Sequence, residues 1–399
     1  MRGYPMSDVY MFSTRHRKRL VAALQESGIL YSPQVAQAVL HIPREAFVSL
    51  YYQREAGPGM IWTRHAAVDT ELEQWLHLIY QDEPLITRLD ERKWPISSSS
   101  APSVMVRMLE ALDIQPGDRV LEIGTGTGYN AALLTQLTGD PALVTTVEVD
   151  TAMAEQAERE LHMLVGPVYV QAGDGRSGVA SRAPYDRIIA TASAGYIPRA
   201  WYEQLAPGGR LVMDLQGKQG ASGFLVVEKS SEGDTAKGRF WQPPLCFMQL
   251  IDPEAPTDST RALFQQPCTE EIIVEPTSLF PAILRDPAFR WFLQWYYTSL
   301  TVTQPFAVQG RIYKAIVLKD AAHATILQLN QREDGGWQGK QRGAYPLWHQ
   351  VQQSYGCFVQ QQKPGYECYE VCLDRQQAQL FINRENEELQ LVLCDLYHH

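Results

Sequence analysis

Val120-Leu121-Glu122-Ile123-Gly124-Thr125-Gly126-Thr127-Gly128 decides the fold of this 399-residue chain. A short apolar run feeds directly into glycines at alternate positions, and Tyr129–Leu137 follows with helical character. Glycine serves where backbone must turn tightly or approach a ligand closely. A dinucleotide-binding turn would place its third glycine one position later, but position 129 is Tyr.

The same alternation continues on both sides of this stretch. Upstream, Pro102 opens an apolar-faced helix carrying Val104, Met105, Met108, Leu109 and Leu112, and Gln115-Pro116-Gly117-Asp118 is a turn. Downstream, strands are predicted over Leu143–Val149, Val168–Gln171, Arg187–Thr191, Arg210–Leu215 and Phe224–Glu228. Helices fall at Thr151–Leu164 and Pro198–Leu205 between them. Strand and helix alternating in this way predict an α/β fold with a mainly parallel sheet.

The flanks read differently. Residues 17–47 carry helical spacing, with Ser32 an N-cap and Pro33 the first helical residue. Residues 51–95 are aromatic and mixed, and their pattern assigns no structure. Gln242-Pro243-Pro244 and Asp252-Pro253-Glu254-Ala255-Pro256 read as connectors. Beyond them, short runs such as Phe306–Val317, His323–Leu329 and Leu389–Leu393 predict a smaller α+β domain. The expected organisation is an N-terminal helical or cap segment at 1–95, the α/β domain at 96–240, and a C-terminal α+β extension at 270–399.

Composition narrows the function classes. Hydrophobic residues make up 45% and charged residues 20%, enough apolar content for a real core. The formal net charge of -10 disfavours nucleic acid as a partner. The basic run Arg15, His16, Arg17, Lys18 and Arg19 reads as a solvated helix face. No apolar stretch is long enough to span a bilayer and the N-terminus lacks a signal-peptide core, so a cytoplasmic protein without membrane partners is expected. Cys246, Cys268, Cys357, Cys368, Cys372 and Cys394 show no Cys-x-x-Cys pairing, which predicts buried reduced thiols and no metal site.

With Glu122 before the glycines, the loop resembles motif I of class I methyltransferases, the Rossmann-like fold that binds S-adenosyl-L-methionine. That resemblance marks Glu122, Gly124, Thr125, Gly126 and Gly128 as cofactor-binding. Glu148 ends the next strand, where a carboxylate can accept hydrogen bonds from both ribose hydroxyls. Asp150 beside it reads as a helix cap. Asp174 and Gly175 follow the third strand, where the carboxylate can accept from the exocyclic amine of adenine; an ordinary Asp–Gly turn is the plainer alternative.

A broader set of motifs resembles the protein-L-isoaspartate O-methyltransferase family. It comprises Gly28-Ile29, Ile42-Pro43-Arg44-Glu45-Ala46-Phe47-Val48, Ser100-Ala101-Pro102, the glycine loop through Tyr129, and Gly173-Asp174-Gly175-Arg176-Ser177-Gly178. Ala183-Pro184-Tyr185-Asp186-Arg187-Ile188-Ile189, Ile197-Pro198 and Leu205-Ala206-Pro207-Gly208-Gly209 complete it. The resemblance covers roughly residues 15–230. It implies methyl transfer to an isoaspartyl or aspartyl carboxylate of a protein or peptide, giving an ester that can close to a succinimide.

The family's Ser-x-Pro serine corresponds to Ser100, with Ser99 the next candidate, as the hydroxyl that holds the acceptor carboxylate. A serine linker or a helix cap are the structural alternatives, but Pro102 as first helical residue leaves Ala101 as the N-cap and frees Ser100. The 51–95 segment is long for the family and 240–399 has no counterpart in its small repair enzymes. A C-terminally extended, peptide-modifying member is therefore a second reading, with the extension binding the peptide. A small-molecule O-methyltransferase would show the same cofactor residues, and a non-catalytic binding module is a third possibility. Oligomeric state is not legible.

Overall fold

The computed structural model describes residues 6–55, 61–251, 272–274, 282–303, 307–308, 311–312, 315–332, 337–383 and 391–397. Cys268 and the Asp252–Pro256 connector lie outside them, as does part of the Phe306–Val317 run.

Helix α1 (Met6–Glu26) and helix α2 (Pro33–His41) open the chain. Ser32 caps α2 by accepting the Val35 N–H at 3.2 Å, with Pro33 in the first turn, as predicted. The basic run of α1 is only partly solvated. His16 and Arg17 are buried, and Arg17 donates to Thr14 at 3.1 Å and lies 3.7 Å from the Glu45 carboxylate.

The stretch read as unassigned carries four antiparallel strands: β1 (Leu50–Arg54), β2 (Trp62–Ala66), β3 (Leu85–Leu89) and β4 (Pro95–Ser99), in the order β2-β1-β3-β4. Helix α3 (Leu72–Ile79) lies between β2 and β3. The N-terminal helices are thus joined by a small sheet, and Ser97–Ser99 end a strand instead of forming a loose linker. Ala101 is the N-cap of helix α4 (Pro102–Leu112) and makes no side-chain cap bond. Asp82 supplies one from outside, accepting the Ser103 N–H at 2.8 Å.

The central sheet contains β5 (Val120–Ile123), β6 (Val144–Glu148), β7 (Tyr169–Ala172), β8 (Tyr185–Ala194), β9 (Leu205–Gln216), β10 (Ser222–Lys229) and β11 (Ala236–Trp241). Helices α5 (Tyr129–Thr138), α6 (Thr151–Leu164) and α7 (Arg199–Gln204) connect its parallel part. β5 to β9 are parallel, and β10 and β11 run antiparallel.

Alternate residues feed opposite faces. Val120 and Val212 pack with α1, α2, α4 and α5 on one side. Leu121, Ile123, Leu211 and Met213 join Trp201 and Trp291 on the other. Both faces are covered, so the strands read as continuous apolar runs.

The C-terminal region holds β12 (Ile272–Val274), helices α8 (Ala282–Arg285) and α9 (Pro287–Tyr296), β13 (Leu300–Thr303), the short pair β14 (Ala307–Val308) and β15 (Arg311–Ile312), β16 (Ala315–Asp320), β17 (Thr325–Gln331), β18 (Trp337–Arg342) and helix α10 (Leu347–Gln360). It ends with β19 (Tyr369–Leu373), β20 (Ala378–Ile382) and β21 (Leu391–Asp395). β12, β13, β16, β17 and β18 form their own five-stranded sheet. β19 pairs with β11, so the last three strands extend the central sheet to ten. The residues expected as a C-terminal α+β extension therefore divide between two sheets, and Trp291, Leu327 and Phe358 share one core with β5 and β8.

Cys394 is the one buried thiol among the described cysteines; Cys246 is exposed and Cys357, Cys368 and Cys372 are half-buried, unlike the expectation. No helix of the described residues is long and apolar enough to cross a membrane.

Candidate active site

The glycine loop sits at the carboxyl end of β5, where open parallel sheets take ligands. Gly124, Gly126 and Gly128 have φ of 94°, 54° and 83°, all in the left-handed region. Gly124 is also tightly packed: a Cβ there would lie 3.0 Å from the Thr191 hydroxyl oxygen. The N–H groups of Gly124 and Thr125 both donate to the Val147 carbonyl, at 2.9 and 3.2 Å. The loop is thereby tied to the end of β6.

Glu148, at that strand end, is buried and lines the cavity above the loop. One carboxylate oxygen accepts the Gly126 N–H at 2.9 Å and the other the Asp150 N–H at 3.2 Å. Each oxygen retains accepting capacity for a further donor. Asp150 caps α6 through the Met153 N–H at 3.0 Å, as expected.

Glu122, at the end of β5, lines the cavity floor. Its carboxyl lies fully buried beneath the loop, accepting from Asn130 and from the Thr146 hydroxyl, both at 2.7 Å. Thr146 in turn meets the Thr125 hydroxyl at 2.7 Å. Burial pushes the Glu122 pKa up to about 7, against the lowering effect of its two donors.

Asp174 follows β7 and engages its own turn. Its carboxylate takes the Arg176 N–H at 2.9 Å and pairs with the Arg176 guanidinium at 2.8 Å. Gly175 lines the cavity but Asp174 does not. The Asp–Gly turn thus acts first as a local cap.

The cavity itself measures about 520 Å³, within the range of small-molecule sites. Its lining includes Glu148 and Glu122 and no Lys or Arg among the described residues. That arrangement fits a cationic sulfonium donor over the glycine loop, and it suits a polyphosphate poorly.

Ser97–Ser100 form the facing wall. The Ser99 hydroxyl is engaged, accepting from Arg44 Nε at 3.2 Å. The Ser100 hydroxyl bonds to no described residue and stands at the cavity.

Two features of this wall escaped the sequence reading. Arg44 lies within a recognised motif, but nothing local signals that it is fully buried. Its guanidinium donates to the carbonyls of Ile79, Gln81, Glu83, Ser99 and Ser100 as well as to the Ser99 hydroxyl. No carboxylate is among these partners, so a buried positive charge stands directly behind the serine segment. Burial lowers its pKa to about 10, which leaves it protonated at neutral pH.

The second feature is the strap 246–251, which covers the cavity. Asp214 accepts the Phe247 N–H at 3.0 Å, and Ser193 exchanges 2.8 Å bonds with Met248 and Leu250. Adjacent prolines had marked the preceding residues only as a connector.

A family model described as Protein-L-isoaspartate(D-aspartate) O-methyltransferase matches residues 64–243. The Protein-L-isoaspartate O-methyltransferase of Ignicoccus hospitalis is 33% identical over 242 residues, covering 60% of this chain and 98% of that protein. The chain belongs to the protein-L-isoaspartate O-methyltransferase family.

A second family relative, from Methanothermobacter thermautotrophicus, is 34% identical over 222 residues, covering 55% of this chain and 88% of that protein. A solved protein-L-isoaspartate O-methyltransferase superposes with a TM-score of 0.52 at 24% identity, covering 90% of this chain and 96% of that one. The fold is the class I methyltransferase fold with a β-rich C-terminal region. The family model spans the serine wall, the glycine loop and Glu148, whereas Arg44 precedes it and the strap follows it.

Proposed function

We propose that this chain methylates the free carboxylate of L-isoaspartyl residues in proteins or peptides, using S-adenosyl-L-methionine and leaving a methyl ester that can close to a succinimide. The observation that carries this reading is one cavity with the glycine loop and Glu148 on one side and the Ser100 hydroxyl on the other.

When bound, the cofactor supplies an electrophilic methyl on its sulfonium. Glu148 accepts from the ribose hydroxyls, while Gly124, Gly126 and Gly128 let backbone close on the donor. Thr125 and Glu122 hold that loop from below. Gly175 contributes to the wall, and Asp174 shapes its turn.

The acceptor carboxyl has a reference pKa near ~4, so it arrives ionised and needs no general base. The catalytic task is alignment of oxygen, methyl and sulfur. Ser100 donates a hydrogen bond that orients the carboxylate without removing its charge. Arg44 is a positioning residue: it fixes the Ser99 and Ser100 carbonyls and adds a positive field behind them.

Incubation with methyl-labelled cofactor and an isoaspartyl peptide tests this. Base-labile label on that peptide is expected, and far less on its aspartyl counterpart. Label stable to mild base would overturn the assignment, as would transfer to neither peptide.

A further inference from the structure

A second cavity of about 230 Å³ adjoins the first. Gln249 and Leu250 of the strap line both, so the two cavities meet at the strap. The remaining walls come from the ends of β8 and β9 and from Gln294, Trp295 and Thr298, at and just beyond the end of α9. These last residues lie outside the span 64–243 matched by the family model.

The wall is built rather than incidental. Gln294 is buried and spends its amide on Ala221, accepting its N–H at 3.2 Å and donating to its carbonyl at 2.9 Å. Gly217 permits that approach, because a Cβ there would lie 2.6 Å from Gln294 Cδ. Ala194 and Trp295 are buried and give an apolar floor. At the rim, Lys218 is exposed and forms no ion pair with a described residue, whereas Arg176 is already paired with Asp174. The volume falls below that of ordinary small-molecule sites and suits one side chain.

The geometry points to a subsite for a residue flanking the isoaspartyl acceptor, preferring a glutamate or aspartate whose stem lies on the Trp295 floor and whose carboxylate meets Lys218. This rests on the methyl-transfer reading and gives the C-terminal extension the peptide-recognition role its position suggested. The adjacency of the two cavities at the strap supplies the occupant: a peptide chain anchored at Ser100 and running along the strap places a neighbouring side chain in the second cavity.

Isoaspartyl peptides differing only in the flanking residue test the assignment, with Gly, Glu or Lys placed on either side of the acceptor. For the unmodified protein, KM for the Glu-flanked peptide should lie about 3- to 5-fold below that for the Lys-flanked one, with similar kcat. In Lys218→Glu the order of the two KM values should reverse. In Thr298→Trp, which fills the cavity from its wall, the preference should vanish. Turnover of the Gly-flanked peptide with no dependence of KM on flanking charge would overturn the subsite and leave the methyl-transfer reading intact. Failure of every peptide, including the Gly-flanked one, would overturn both.

Discussion

Arg44 donates a 2.9 Å hydrogen bond from its guanidinium to the carbonyl of Ser100, a residue 56 positions away in the chain. The contact joins the turn after α2 to the serine wall of the cavity. Arg44→Lys keeps the charge but loses the planar fork that serves several carbonyls at once. The kcat for an isoaspartyl peptide should fall by up to ~100-fold, the scale of a misplaced reacting group. Affinity for S-adenosylhomocysteine, measured by calorimetry, should stay unchanged. Equal losses of turnover and cofactor affinity would mean that Arg44 serves only folding.

The two neighbouring serines should separate by mutation. Ser100→Ala removes a donor to a charged acceptor and should cost roughly 10- to 100-fold in kcat/KM. Ser99→Ala leaves Arg44 Nε without its partner and should act more weakly. Steady-state kinetics on both variants decide the order, and a larger defect in Ser99→Ala would reverse the assignment.

Glu148→Gln tests the cofactor half of the cavity. The amide oxygen can still accept the Gly126 N–H, so the loop should hold its shape. Loss of a charged acceptor for the ribose hydroxyls should weaken S-adenosylhomocysteine binding roughly 10- to 100-fold. An unchanged dissociation constant would remove Glu148 from the site.

Two buried acids predict the pH dependence of stability. Burial raises Glu122 from 4.5 to about 7 and Asp214 from 3.8 to about 6. The folded protein then keeps protons that the unfolded chain releases. Their contribution is complete below the unfolded pKa values and is lost as pH rises through the folded ones. Urea unfolding should therefore show stability falling between roughly pH 4 and pH 7, with Glu122 accounting for about 3 kcal/mol of that change. Glu122→Gln should flatten the slope, and a variant with the slope of the parent would refute the assignment.

The legible parts of the fold share a physical cause. Strands β5, β6, β8 and β9 are covered on both faces, so they appear as apolar runs, and the helix at Thr151–Leu164 ends where its periodicity does. β1 to β4 are short, half-exposed strands such as Tyr51–Gln53 and Ser97–Ser99, where neither alternation nor an apolar run stands out. Asp174 was read as a ligand because its turn follows a parallel strand. The contact of Arg176, two residues on, with its carboxylate is visible only in the folded turn.

What the sequence determined by itself is the donor half of the cavity. Glycine spacing, the acidic end of β6 and the Asp150 cap act over a few residues, and local backbone geometry carries their meaning. The acceptor half belongs to the tertiary structure. Arg44 behind Ser100, the strap over the cavity and the wall from Gln294 to Thr298 bring together segments far apart in the chain. Such contacts exist only once a packed core has set the distances between those segments.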